Sequence, residues 1–301
     1  MSQGTLRVAS AQYPVAFLGE WAQFAAKVSA WVAEAAEAGA DLLLFPEYFS
    51  IEITSIFDAA IYASLPRQLD ALQRTLPDFM SLFTRLAHTH RVHICAGSYP
   101  VKVGERHYNR SYFFWPDGYH GYQEKLQMTR FENERWQISA GCGLEVFATA
   151  FGTVAISLCY DSEFPLLARR QVELGADIIL VPSCTDTLAG FNRVRIGCQA
   201  RALENQCYVV QSPTVGRCAW SEAIDDNVGF AAVYTPVDRG FPADGVQAAG
   251  VLDAAQWVYA DLDLSRLTDV RAAGQVFNHR DWDAQWQHLQ AMSSPVPPCA
   301  R

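Results

Sequence analysis

The chain has 301 residues, half of them hydrophobic, and 32 acidic against 23 basic side chains leave a formal net charge of −9. That length supports a sizeable core in one large domain or two fused halves, and interspersed charge without a basic stripe argues against a nucleic-acid binder. No stretch approaches the roughly 20 apolar residues that span a bilayer, no basic-then-apolar leader opens the sequence, and eight scattered cysteines suggest reduced thiols rather than a disulfide scaffold, so a cytoplasmic protein is expected.

In chain order, residues 6–12 read as a strand. Trp21, Phe24, Val28, Trp31, Val32 and Ala35 then recur at helical spacing, with Gly39 as the stop. Residues 41–45 form an apolar strand buried on both faces. A helix over 65–90, broken near Pro77, leads into a strand at 92–99. Residues 108–115 and 119–125 pair as a hairpin around Pro116-Asp117-Gly118. The run from Val154 to Cys159 is a buried strand, and Pro165 opens a helix closed by Gly175. A strand at 177–181, a helix at 192–205 and strands at 208–211, 229–235 and 257–261 follow. The segment after Trp286, which contains Ser-Ser-Pro-Val-Pro-Pro, reads as an extended arm. One domain over 1–286 with a tail over 287–301 is therefore expected.

Ala38-Gly-Ala-Asp-Leu-Leu-Leu-Phe-Pro46 echoes Leu174-Gly-Ala-Asp-Ile-Ile-Leu-Val-Pro182. Each is a helix end, a glycine cap, a strand and a stopping proline. The echo suggests two similar halves, each with its own sheet, packed face to face. Side chains just past the carboxyl ends of strands line the sites of open α/β sheets. Glu47 and Cys159 stand at two such ends, and Lys125 closes the hairpin. Spacing alone does not show that the three meet, but their chemistry is coherent. A thiolate is the nucleophile, though a free thiol is mostly protonated near neutral pH. A carboxylate can take its proton and return it to a leaving amine. An ammonium can hold the oxyanion of a tetrahedral intermediate. The backbone N–H groups after a cysteine at a strand-to-helix joint can serve the same charge.

Five ordered motifs now resemble one family. Val8-Ala-Ser-Ala-Gln12 resembles its opening strand, Asp41-Leu-Leu-Leu-Phe-Pro-Glu47 its glutamate motif and Tyr122-Gln-Glu-Lys125-Leu its lysine motif. Leu158-Cys159-Tyr-Asp-Ser-Glu-Phe-Pro165 resembles its nucleophile motif, and Arg201-Ala-Leu-Glu-Asn-Gln206 the helix before a late strand. From about residue 6 to 271 the chain is identified as a member of the nitrilase, or carbon–nitrogen hydrolase, superfamily. The resemblance implies a four-layer α-β-β-α sandwich of two mixed sheets flanked by helices, assembled as a homodimer or larger oligomer.

It also implies roles. Glu47 would be general base and acid, Lys125 the electrostatic stabiliser, the Tyr160 backbone N–H a second oxyanion donor, and Cys159 the nucleophile of an acyl-enzyme that water hydrolyses. The family carries a second glutamate six places before a Pro-Gly pair. Ala140-Gly141 stands there in this chain, and the count selects Glu134, with Glu132 as the fallback. Trp136, Ser183 and Cys184 are candidate pocket residues. Arg193 and Arg195 are candidates for a substrate carboxylate, although Glu163 stands where amide-cleaving members often carry Arg. Tyr160-Asp161 after the cysteine favours amides over nitriles, whose members usually carry Trp there. The expected reaction is hydrolysis of a small linear amide to acid and ammonia or amine. Nitriles, N-carbamoyl amides, acyl transfer and an inactive scaffold are the alternatives. No cofactor is expected. No metal site is expected either, because His88, His90, His93 and Cys95 would splay apart across a helix end and a strand.

Overall fold

The computed structural model describes residues 5–290. The first half of the chain builds one mixed sheet from β1 (Leu6–Pro14), β2 (Leu42–Phe45), β3 (His93–Ala96), β4 (Tyr99–Val103), β5 (Arg106–Phe114), β6 (His120–Glu124) and β7 (Ile138–Ser139). The second half builds another from β8 (Val146–Ala148), β9 (Thr153–Ile156), β10 (Ile178–Ser183), β11 (Tyr208–Arg217), β12 (Asp226–Asn227), β13 (Ala232–Tyr234) and β14 (Val246–Ala249). The last strand, β15 (Gln256–Leu262), returns to the first sheet and runs antiparallel to β1. In each half the three parallel strands are central, β1–β2–β3 and β9–β10–β11, with antiparallel strands outside them.

Alternation along the strands assigns the layers. Leu42 and Leu44 face Ile178 and Leu180 across the core shared by the two sheets, together with Val8, Phe113, Ile156 and Val210. Leu43 and Phe45 point the other way, into a core with α1 (Trp21–Glu37) and, beyond α2 (Ala59–Tyr62) and α3 (Leu65–Leu72), with α4 (Leu76–His90). Ile179 and Val181 do the same against α5 (Pro165–Glu173) and α6 (Leu188–Asn205). Three apolar cores separate four layers, helix–sheet–sheet–helix, as expected for layered α/β domains.

The echoed segments are therefore counterparts. Their relation extends to the seam. β1 leaves β15 after Gln12 and pairs in parallel with β11 through Tyr13–Thr214 and Pro14–Val215. Ser10 Oγ donates to the Gln211 carbonyl at 2.7 Å, and Ser212 Oγ returns a bond to the Ala11 carbonyl at 2.6 Å.

Several boundaries differ from the sequence expectation. The helix expected over 65–90 with a break near Pro77 is α3 and α4: the break falls at residues 73–75, and Pro77 sits in the first turn of α4, where its missing N–H costs nothing. The strand expected over 92–99 is β3 followed by β4, which turns at Gly104 into β5. A 3₁₀ helix, Phe49–Ile56, was not foreseen. The tail expected from residue 287 begins inside α9 (Ala284–Gln290), the last helix after α7 (Leu264–Ala273) and α8 (Asn278–Asp281). The proline-rich segment lies outside the described residues. Among the described residues, no helix is long and apolar enough to cross a membrane.

Candidate active site

Glu47 follows the last residues of β2, and the turn that presents it is set by a close approach. Gly97, at φ +57°, lies so near Pro46 that a Cβ there would stand 2.0 Å from the Pro46 carbonyl oxygen, a position only glycine tolerates. Tyr48 itself takes a left-handed conformation, φ +56°, and its N–H donates to Ser98 Oγ. This swings its ring into the same cavity as Glu47.

Cys159 follows β9 at φ +46°, a conformation an L-residue adopts only when its surroundings enforce it. It opens a 3₁₀ turn, Cys159–Glu163, and only then does α5 begin. α5 opens at Pro165, where the sequence places the helix start, and the turn fills the residues between it and the cysteine. Tyr160 lies in its first positions, where backbone N–H groups lack partners within the helix. Lys125 follows β6. Its N–H donates to the Asn109 carbonyl at 2.9 Å, and its own carbonyl accepts from Gly141 at 2.8 Å.

These ends converge on a cleft of about 600 Å³ lined by Glu47, Lys125, Cys159 and Tyr160, among others. Glu47, Lys125 and Cys159 are 1 %, 1 % and 4 % exposed, so their charges interact with little screening by water. Lys125 Nζ lies 2.8 Å from Glu47 Oε1. The Cys159 thiol lines the same cleft as the Glu47 carboxylate, close enough for the Glu47 charge to act on it, and its Sγ stands 3.8 Å from the Cys184 carbonyl oxygen.

Glu134 is not among them. Its carboxylate forms a two-pronged pair with Arg130 at 2.9 Å on the exposed face of the Phe131–Trp136 turn. The buried carboxylate is that of Glu132, 2.8 and 2.7 Å from Lys125 Nζ through its two oxygens. The turn is a π-helix. Ser183 is also displaced from the expected lining. β10 continues two residues beyond the point where β2 ends, so Ser183 is still paired with Pro213 and its hydroxyl donates to the Ser212 carbonyl. Cys184 lines the cleft instead. Trp136 walls it, its ring 4.7 Å from that of Tyr48 and its Nε1–H on the Leu65 carbonyl. Arg193 stands at the mouth, 3.8 Å from Glu163, whereas Arg195 bonds Asn192 outside the lining.

The two buried carboxylates have opposite tuning. Glu132 Oε1 accepts from the Tyr48 hydroxyl at 2.7 Å and from Lys125, and Oε2 accepts from Lys125, from the Thr129 N–H and from the Thr129 hydroxyl. Burial pushes its carboxyl up, but the Lys125 charge and these bonds outweigh burial and hold it below the ordinary range. Burial raises Glu47, the nearby Glu132 charge raises it further, and Lys125 offsets this only in part. Lys125 stays protonated, because two carboxylates outweigh the cost of its burial. Burial and the Glu47 charge push the Cys159 thiol well above its ordinary value. The resting site therefore holds a thiol beside a proton-accepting carboxylate, not a preformed thiolate. Two carboxylates with diverging proton affinities can divide the work of such a site, Glu47 exchanging a proton while Glu132 stays an anion.

Asn109, Tyr48 and Asp161 were not foreseen as part of this cluster. Asn109 Nδ2 donates to Glu47 Oε1 at 2.8 Å, and Asp161 accepts the N–H groups of Leu126 and Gln127 beside Lys125. Among the described residues, no three His, Cys, Asp or Glu side chains gather as metal ligands do.

Known proteins resemble this chain in sequence and fold to different extents. The family model described as "Carbon-nitrogen hydrolase" matches residues 7–272. The chain is 35% identical over 285 residues to "Probable hydrolase YhcX" of Bacillus subtilis (strain 168), covering 95% of this chain and 55% of that protein. It thus spans about half the length of that relative. It is 26% identical over 254 residues to "Omega-amidase NIT2" of Danio rerio, covering 80% and 82% of the two chains. Among solved structures, Saccharomyces cerevisiae Nit3, described as a member of branch 10 of the nitrilase superfamily, superposes with a TM-score of 0.74 at 21% identity, over 92% of this chain and 96% of that one.

Proposed function

The chain belongs to the carbon–nitrogen hydrolase family, and on that premise we propose that it hydrolyses a small linear amide to an acid and ammonia or an amine through a thioester on Cys159. As Sγ attacks the amide carbon, Glu47 takes the thiol proton, and the carbonyl oxygen becomes an oxyanion facing Lys125 Nζ and the Tyr160 N–H. Glu47 passes its proton to the nitrogen, the C–N bond breaks, and the amine leaves an acyl group on sulfur. Glu47 then takes a proton from water, whose oxygen attacks the thioester. Collapse of the second oxyanion releases the acid and returns the proton to sulfur.

One observation carries the reading: Lys125 bridges Glu47 and Glu132 in the cleft that Cys159 lines, and of the two carboxylates Glu47 accepts through Oε1 alone, leaving Oε2 for a proton. Glu132 accepts five hydrogen-bond contacts of 2.9 Å or less and has no room for a further proton. The mouth bears on the substrate's far end. Glu163, Asp186, Glu222, Asp225 and Asp226 line it against Arg130 and Arg193; both arginines face a glutamate, Glu222 and Asp226 pair Arg135 and Arg217, and Asp186 and Asp225 have no arginine partner among the described residues. That charge balance favours an amide with a neutral or cationic far end over one with a second carboxylate.

Ammonia or amine release from a panel of neutral amides, amino-amides, dicarboxylate monoamides, carbamoyl amino acids and nitriles tests the proposal. Turnover of amides, fastest without a distal carboxylate, is expected. Turnover of nitriles alone overturns it.

A further inference from the structure

Asn109 lies on β5, wholly buried, and touches all three charged residues of the cluster, two by its side chain and Lys125 through the backbone. Its carbonyl accepts the Lys125 N–H at 2.9 Å. Its side-chain amide nitrogen donates to Glu47 Oε1 at 2.8 Å and stands 3.4 Å from Glu132 Oε1. Its Oδ1 is buried with no partner among the described residues. A buried acceptor left unmade is costly, so the orientation needs a reason. Turning the amide over would aim Oδ1 at two carboxylates, and the repulsion would exceed what a satisfied oxygen returns. The donor is thus held on the carboxylates at the expense of the acceptor. Asparagine also suits the place by charge. A lysine or arginine would compete with Lys125 for both carboxylates, and an aspartate would add a third anion to the cluster.

We propose that Asn109 is a positioning residue that fixes the Glu47 carboxylate by its Oε1 edge, so that Oε2 alone faces the thiol and the base stays ionised enough to work. Oε1 is taken by Asn109 and Lys125. A hydrogen bond to the charged form of a carboxyl lowers its proton affinity. Asn109 thereby opposes the burial that raises Glu47, and it adds no charge that would draw Lys125 away. This inference rests on the proposed role of Glu47.

The test compares the pH dependence of kcat/KM in the wild type and in Asn109→Leu, which keeps the bulk and removes the donor. Asn109→Ser, whose shorter side chain withdraws the donor, is the second variant. Either variant that folds, judged by its circular dichroism and melting, is read by the same criterion. The expected result is a fall in kcat/KM of about tenfold or more, with the acidic limb moved upward by about one on the pH scale. A profile lowered evenly at every pH, with its limb unmoved, reduces Asn109 to a structural residue and overturns the proposal, as does kcat/KM within about twofold of wild type. The rate at which iodoacetamide modifies Cys159, followed by peptide mass across the same pH range, reads the base without any amide. If the wild type hydrolyses no amide, the functional reading fails, and the alkylation limb still decides whether Asn109 tunes Glu47.

Discussion

The Asp161 carboxylate accepts the Gln127 backbone N–H at 2.7 Å. With a second bond from Leu126, this ties the turn that presents Cys159 to the segment that presents Lys125. The Cys159 thiol and the Lys125 ammonium come from different sheets' strand ends, and their spacing depends on this tie. Burial holds the Asp161 carboxyl up at about 7, although the Lys125 charge and the two N–H groups pull it down. A carboxyl raised on folding supports the fold while protonated, most fully below its unfolded value of about 4, and that support is lost as pH rises through the folded value. The Tm of Asp161→Asn relative to wild type is therefore expected to rise between about pH 5 and pH 8, because the wild type alone carries the cost of a buried charge. Thermal melts across that range check it. A difference that is constant or falls contradicts the assignment.

Glu132 and Glu134 separate cleanly. Glu132→Gln removes the anion that keeps Lys125 charged and in place, and a loss of about 10²-fold in kcat/KM is expected. Glu134→Gln loosens only an exposed pair with Arg130 and is expected to stay within about twofold. The reverse order in steady-state assays would return the role to Glu134.

The acidic limb of kcat/KM reports the free enzyme's base. Burial raises Glu47 above the ordinary carboxylate range, so activity should be lost as pH falls through a value above about 4.3, the unperturbed glutamate. A limb at or below that value, or near-normal rates for Glu47→Gln, would remove Glu47 as the base.

Much of this was legible in the sequence because the signals were local. The helix-stop, strand and proline of 38–46 and 174–182 stated two counterpart strands, and β2 and β10 occupy matching places. Glu47, Lys125 and Cys159 each end a strand readable from its own residues. The second glutamate was misread because the count carried a family spacing onto Ala140-Gly141, where this chain lacks the Pro-Gly pair, and a count does not show which carboxylate turns inward. A local signal was present: Thr129 and Glu132 have capping-box spacing, and each bonds the other's backbone N–H. Ser183 was misplaced because the echo does not reveal that β10 outlasts β2. Asn109 carries no local mark. It is an alternating position on β5, and its importance comes from Glu47 and Glu132, 62 and 23 residues away.

The central claim is a covalent acyl group on one sulfur. Cys159 and Cys184 both line the cleft, and burial pushes both thiols up, but the Cys184 Sγ is engaged with Asn227 Oδ1 at 3.4 Å. The most direct test mixes the protein with an amide it turns over, quenches in acid during the steady state, and locates the adduct by peptide mass. An acyl mass on the Cys159 peptide, absent together with turnover in a folded Cys159→Ala variant, is the result predicted here. An adduct on Cys184, or undiminished turnover in Cys159→Ala, would contradict it.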